Sequence, residues 1–156
     1  MTDRNFRPDG FHTLTPYIIV HDGPAAIDFY QRAFGAVELS RHADDKGRIR
    51  HAELRFGDSP MMLAEEPGGE WPDWQSARTR GGTPVHLYMY VEDPDAVFAT
   101  AIDAGATQLL PMEDHDYGDR SGGLTDPFGH VWYVSKVLGT DAAGESTHQQ
   151  AGSASL

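Results

Sequence analysis

From Leu14 to Val20 (LTPYIIV) apolar and polar positions alternate as in a half-buried strand, with Pro16 near the start, where a missing backbone donor is tolerated. The period then changes. Ile27, Tyr30 and Phe34 recur at helical spacing, Asp22-Gly23-Pro24 offers an N-cap followed by a proline in the first turn, and Gly35 ends the run. Val37–Arg41, Ile49–Phe56 and Met61–Glu65 read as three short strands, with turns between them at 43–47 and 57–60. Along Ile49–Phe56 the alternation puts Ala52, Leu54 and Phe56 on one face and His51, Glu53 and Arg55 on the other. The apolar set is expected to meet the helix.

Residues 67–82 (PGGEWPDWQSARTRGG) break all periodicity with glycines and prolines while carrying Trp71 and Trp74, and read as a connection. The pattern then starts again. Val85–Val91 is a strand, Asp93-Pro94-Asp95 opens a helix with Val97, Phe98, Ala101 and Ile102 on its apolar face, and Gly105 stops it. A short strand at Gln108–Leu110, a strand containing Leu124 and a strand at Val131–Val137 complete the second half. Asp126-Pro127-Phe128-Gly129 is a turn in which proline presets one dihedral, aspartate bonds its own backbone and glycine accepts left-handed geometry. It closes a hairpin between Gly122–Thr125 and Val131–Val134. The Gly122-Gly123 pair reads as a strand entry. The expected organisation is a polar arm at 1–12, a first module at 13–66, the connection at 67–82, a second module at 83–138 and a disordered tail at 139–156.

The halves repeat. Asp22 and Asp93 stand 71 positions apart and Gly35 and Gly105 stand 70 apart, so one residue is lost within the second helix. The same register sets Thr15 against His86 and Leu63 against Tyr133. The repeat predicts an α+β fold of two βαβββ modules, each with its helix on one face of a small sheet, the other faces curving as a mixed sheet around a cavity.

Composition narrows the chemistry. The 156 residues are enough for one domain with a sizeable core, at 39% apolar and 23% charged content. No cysteine is present, which leaves histidine, aspartate and glutamate for any metal. The net charge of -12 argues against nucleic acid and anionic membranes as partners. The start, MTDRNFRPDGFH, lacks the apolar core of a signal peptide, and no apolar run reaches the length of a membrane span, so a cytoplasmic location is expected.

Ile27-Asp28-Phe29-Tyr30 with Phe34-Gly35-Ala36, the strand His86–Val91 leading into Asp93, and Tyr117–His130 (YGDRSGGLTDPFGH) together resemble the vicinal oxygen chelate superfamily. That superfamily includes glyoxalase I, bleomycin-resistance proteins, fosfomycin-resistance enzymes and extradiol dioxygenases. The resemblance spans about residues 12–138 and is strongest to the PhnB-like branch. It implies paired βαβββ modules, commonly a homodimer, and a cavity for a divalent metal or a hydrophobic ligand. Metal-using members carry a ligand on the first and on the last strand of each module, and the matching positions here are Thr15, Leu63, His86 and Tyr133. Of these His86 alone is a good ligand, so the resemblance implies a metal site largely lost and no cofactor favoured, with a divalent metal left open.

Strand parity adds candidates of its own. His51 and Glu53 face the cavity, within reach of Glu65 and His86, which makes His86, His51 and Glu65 an alternative metal set and His51, Glu53 and His86 the catalytic candidates. Tyr17, Arg55, Met61, Tyr88, Tyr90 and Tyr133 are the expected wall of a ligand pocket, joined by Val131, with Trp71 and Trp74 as its lid. Each has a structural alternative: a hydrogen-bonded strand histidine, a cross-strand salt bridge, core or dimer-interface tyrosines, tryptophans that pin the connection. Asp119 and Arg120 are expected to pair and fix their loop, and His130 to serve the turn. The expected function is binding of a small, partly aromatic molecule, the alternative a metal-dependent lyase, isomerase or dioxygenase using His86 with His51, Glu53 or Glu65.

Overall fold

The computed structural model describes residues 6–69 and 71–139. Along the chain run β1 (Tyr17–Val20), α1 (Gly23–Phe34), β2 (Val37–Ala43), β3 (Ile49–Phe56), β4 (Ser59–Glu65), α2 (Ala77–Arg80), β5 (His86–Tyr90), α3 (Pro94–Asp103), β6 (Thr107–Asp114), β7 (Asp119–Thr125) and β8 (Val131–Val137). The chain divides into two compact units, Met1–Thr83 and Pro84–Leu156. Each holds a four-stranded mixed sheet, ordered β1-β4-β3-β2 in the first and β5-β8-β7-β6 in the second. The expected α+β class and βαβββ repeat are both present. The expected tail lies outside the described residues from position 140 onward, as does the start of the arm.

In the first unit the helix begins where Asp22 turns back on it: Ala25 N–H donates to Asp22 Oδ1 at 3.1 Å, and Gly35, at φ 66°, ends it in left-handed geometry that costs glycine little. In the second, Ala96 N–H donates to Asp93 Oδ1, also at 3.1 Å. The helix α1 buries Ile27, Phe29, Tyr30 and Ala33 against Ile18, Leu54 and Leu63, and its rings interlock with Phe56, whose centroid lies 5.7 Å from that of Tyr30. Each large side chain buried in this way stabilises the unit by roughly 1.5–3 kcal/mol. Ala52 and Leu54 lie under the helix as the alternation requires, while the β2·β3 pairing is irregular at Glu38/Ser40, where Leu39 is the extra residue on β2, and at His42/Ala43, where Arg50 is the extra residue on β3. Strand β3 therefore keeps its parity from His51 to Phe56, while Ile49, before the extra residue, turns to the helix side beside Gly23.

The second unit departs from the sequence reading around its third strand. Strands β6 and β7 are much longer than expected, and Gly122 and Gly123 lie inside β7. Both glycines make room: a β-carbon on Gly122 would stand 2.9 Å from Phe98 Cε2 of α3, and one on Gly123 would stand 3.1 Å from Tyr133 Cε1. Asp119 and Arg120 do not pair with each other, because as neighbours in a strand they point to opposite faces. Arg120 reaches Asp95 on α3 at 2.8 Å and Asp114 at 3.0 Å.

The turn behaves as its residues dictate. Phe128 N–H and His130 N–H donate to Asp126 Oδ1 at 2.9 and 3.0 Å, Trp132 Nε1–H donates to Oδ2 at 2.9 Å, and Gly129 takes φ 89°.

Candidate functional site

The face of each sheet opposite its helix carries the candidate chemistry. In the first unit the ladder aligns Tyr17 of β1 with Met62 of β4, and Met62 with Glu53 of β3. Tyr17 Oη donates to His51 Nδ1 at 3.2 Å, and His51 Nε2 donates to Glu53 Oε1 at 3.3 Å. A carboxylate only accepts, so its position assigns the imidazole hydrogen to Nε2 and leaves Nδ1 as the acceptor for the phenol. Burial raises the Tyr17 pKa above its ordinary value, so the hydroxyl stays protonated. Trp74 stands edge-on to Tyr17 with centroids 5.6 Å apart, and Trp71 lies 5.5 Å from Trp74. Arg55 is exposed farther along the same face of β3.

Two expectations for this unit are corrected. Met61 pairs with Leu54, is 3% exposed and belongs to the helix side, so the methionine on the open face is Met62. Leu63 pairs with Ile18 and is fully buried beside α1, whereas Tyr133 pairs with Tyr88 on the open face of its own sheet. The position equivalent to Tyr133 is Met62, 71 residues earlier, because β1 and β4 keep the spacing of the N-caps; a slip of one residue turns a strand side chain to the other face.

In the second unit the open face is aromatic above a buried carboxylate. Tyr88 and Tyr90 are 43% and 53% exposed, and both donate to Asp119 Oδ2, at 2.8 and 2.9 Å, while Asp119 itself is 1% exposed. The ring of Tyr133 stacks on Tyr88 at 5.6 Å with a 23° tilt, and the His86 ring sits 5.6 Å from Tyr133, tilted by 40°. The Tyr117 hydroxyl bonds to Tyr88 and Ser121, and Ser121 Oγ lies 2.7 Å from Ser135 Oγ. His115 stacks flat on Tyr117 at 5.0 Å. Burial, then hydrogen bonding to Asp119 and its charge, pushes Tyr90 up to about 12. Burial, then the bond to Tyr88, does the same for Tyr117, also to about 12. Sequence reasoning missed Asp119, Ser121 and Tyr117 as parts of this face because it stopped β7 short. Extending the alternation back from Thr125 through Gly123 finds them.

The metal donors fit poorly. Glu65 Oε1 accepts the Gly23 N–H at 2.7 Å at the start of α1, Glu53 and His51 are bonded to each other, and among the described residues no three His, Asp or Glu side chains gather as a metal site would require. Thr15 precedes β1 and is half-buried, and Met62 offers only a thioether, a poor ligand for hard or borderline ions.

A duplicated βαβββ fold whose helix-free sheet faces carry the polar and aromatic side chains defines a class, and comparison with known proteins gives it a name. The chain belongs to the Glyoxalase/Bleomycin resistance protein/Dioxygenase superfamily, the vicinal oxygen chelate proteins, whose family profile matches residues 10–134. An uncharacterised protein of Mycobacterium bovis, Mb0911c, is 42% identical over 129 residues, covering 80% of this chain and 83% of that protein. The crystal structure of the Arabidopsis thaliana At5g48480 product superposes with a TM-score of 0.64 at 26% identity, over 81% of this chain and 99% of that one. TioX from Micromonospora gives 0.62 at 25% identity, over 84% and 100%. The fosfomycin resistance protein FosX of Listeria monocytogenes, at 0.62 and 16% identity over 83% and 94%, shares the fold. No helix of the described residues is long and apolar enough to cross a membrane.

Proposed function

We propose that this superfamily member is a small-molecule-binding protein, taking a small, partly aromatic ligand on the open aromatic faces of its sheets, with the ligand set of metal-using members largely lost. The observation that carries the reading is the aromatic group of exposed Tyr88 and Tyr90 with half-buried Tyr133 stacked on Tyr88, above the buried Asp119. Rings held in place by hydroxyl bonds to a fixed carboxylate lose little further freedom when a flat ligand stacks on them. Tyr17, Trp71 and Trp74 offer a second aromatic group on the first unit, with Arg55 at its border. Arginine there suits an oxygen of the ligand. The same reading assigns the chain to the PhnB-like branch on the strength of Tyr117–His130, and takes it to be a cytoplasmic homodimer that engages neither nucleic acid nor membrane.

A thermal-shift screen of neutral and cationic aromatic compounds, read alongside tryptophan fluorescence, tests it. Hits should raise the Tm, and Tyr133→Ala should weaken them about fivefold, the equivalent of roughly 1 kcal/mol for one lost stacking partner. Metal analysis of protein prepared without chelators supplies the counter-test. Stoichiometric Ni, Zn, Mn or Fe that disappears in His86→Ala would replace this reading with a metal-dependent enzyme using His86 with His51, Glu53 or Glu65.

A further inference from the structure

The hydrogen bonds of the first unit run in one direction, and that direction implies a reaction. Glu53 accepts from His51 Nε2, His51 Nδ1 accepts from Tyr17 Oη, and the Tyr17 oxygen keeps its lone pairs for a donor that the chain of bonds does not supply. Tyr17 is 40% exposed, so that donor can come from a ligand. We infer that Tyr17, His51 and Glu53 form a proton relay that accepts the hydroxyl proton of a phenolic ligand whose ring packs against Trp71 and Trp74.

In the step the ligand O–H proton moves to Tyr17 Oη as the Tyr17 proton moves to His51 Nδ1. A neutral phenol becomes a phenolate, and the neutral imidazole becomes an imidazolium facing the Glu53 carboxylate. No charge is created without a partner, and no other reactant is needed. Tyr17 is the group that touches the ligand. Glu53 is a positioning residue: it fixes the imidazole tautomer and offsets the new positive charge, the two tasks a carboxylate performs behind a histidine base. The inherited high proton affinity of the Tyr17 oxygen suits a conduit, because a phenol held protonated by burial passes one proton on only as it takes the next.

The ligand class follows from the surroundings. A flat ring is matched by the edge-on pair of Trp74 on Tyr17 and by Trp71 beyond it, with centroids 5.6 and 5.5 Å apart. The acidic hydrogen must be a hydroxyl on that ring, since it has to meet Tyr17 Oη while the ring meets the tryptophans. Among the described residues the relay is present once. Strand pairing sets Glu53 opposite Met62 in the first unit and Gly123 opposite Tyr133 in the second, so the second sheet has glycine where the first has the carboxylate.

The inference rests on the aromatic-ligand reading above, and 4-nitrophenol separates the two. With saturating full-length protein, about one pH unit below the free probe's midpoint, the phenolate band should grow roughly fivefold or more. Tyr17→Phe and His51→Gln should lose that gain while still binding, as shown by tryptophan quenching that Trp74→Phe reduces. Glu53→Gln should keep less than half of it and shift the pH profile of ionisation upward. Quenching with no gain in phenolate in the wild type, or equal phenolate in Tyr17→Phe, overturns the relay and leaves ligand binding standing. No quenching by the probe overturns the phenol class, whatever the wider screen finds. Nitrogen NMR of the imidazole provides a probe-free check: an Nε2–H tautomer for His51 is expected, and an Nδ1–H tautomer overturns the relay.

Discussion

Asp126 and Asp119 show how differently two carboxylates a few positions apart can be used. Asp126, 4% exposed, spends both oxygens on the turn, accepting from Phe128 N–H, His130 N–H and Trp132 Nε1–H. Asp126→Ala leaves two buried donors and a part-buried one without their partner and should cost about 5 kcal/mol, measured by denaturant unfolding, since bonds to a charged acceptor are each worth roughly 1.5–3 kcal/mol. Asp119 instead receives the hydroxyls of Tyr88 and Tyr90, and after burial its hydrogen bond and charge add to the rise in the Tyr90 pKa. Tyr90 and Tyr117 are pushed up to about 12, while an unfolded tyrosine titrates near 10. A folded pKa above the unfolded one means the folded state binds the proton more tightly. Their contribution to stability is therefore full below about pH 10 and is lost as pH rises toward 12. Scanning Tm across that window should show a steep decline in the wild type and a shallower one in Tyr90→Phe. An identical decline in both would remove Tyr90 from the account.

At the scale of elements, the seat of α1 on its sheet depends on Gly23. A β-carbon there would lie 2.6 Å from Ile49 Cβ and closer still to Cγ1, and Ile49 is 1% exposed with nowhere to go. Gly23→Ala should cost about 2 kcal/mol by urea unfolding, within the range for overpacking a tight core, although alanine is the better helix former. A neutral substitution would mean that the helix can slide on β3. The same contacts explain what was legible. From His51 to Phe56 strand β3 alternates cleanly and sits between two partners, so its two faces there were readable residue by residue, and the duplicated Asp22 and Asp93 caps gave both helix starts. Strands β6 and β7 were not, because Pro111, Gly118, Gly122 and Gly123 carry the signals of a loop. Their reasons are tertiary: Phe98 needs the space of Gly122, and Tyr133 that of Gly123. The candidate site was legible as a set of residue types, namely tyrosines, His51, Glu53 and His86. Which side chains meet depended on cross-strand registers, and a one-residue error there exchanged Met62 for Met61 and Leu63.

For the whole molecule the governing quantity is charge. Twenty-four acidic residues against 12 basic ones leave -12, and this field reaches any ligand before contact does. Aromatic faces alone would bind cations, neutral compounds and anions alike through stacking. Adding a negative field of this size favours the cation in both rate and affinity, and cation–π attraction to the tyrosine rings acts in the same direction. For two ligands of one ring system, an aromatic ammonium and the matching carboxylate, the ammonium should bind at least tenfold tighter in about 20 mM salt. That ratio should shrink several-fold in about 500 mM salt, where charges beyond roughly 4–5 Å are screened from one another. Isothermal titration at the two salt concentrations measures it. A preference that does not change with salt would mean that discrimination comes from short contacts, such as Arg55 or the Asp119 group, and that the overall charge serves solubility alone. A phenol occupies the middle of this scale: it arrives neutral and meets no repulsion, and it becomes an anion only where His51 and Glu53 can take up the proton.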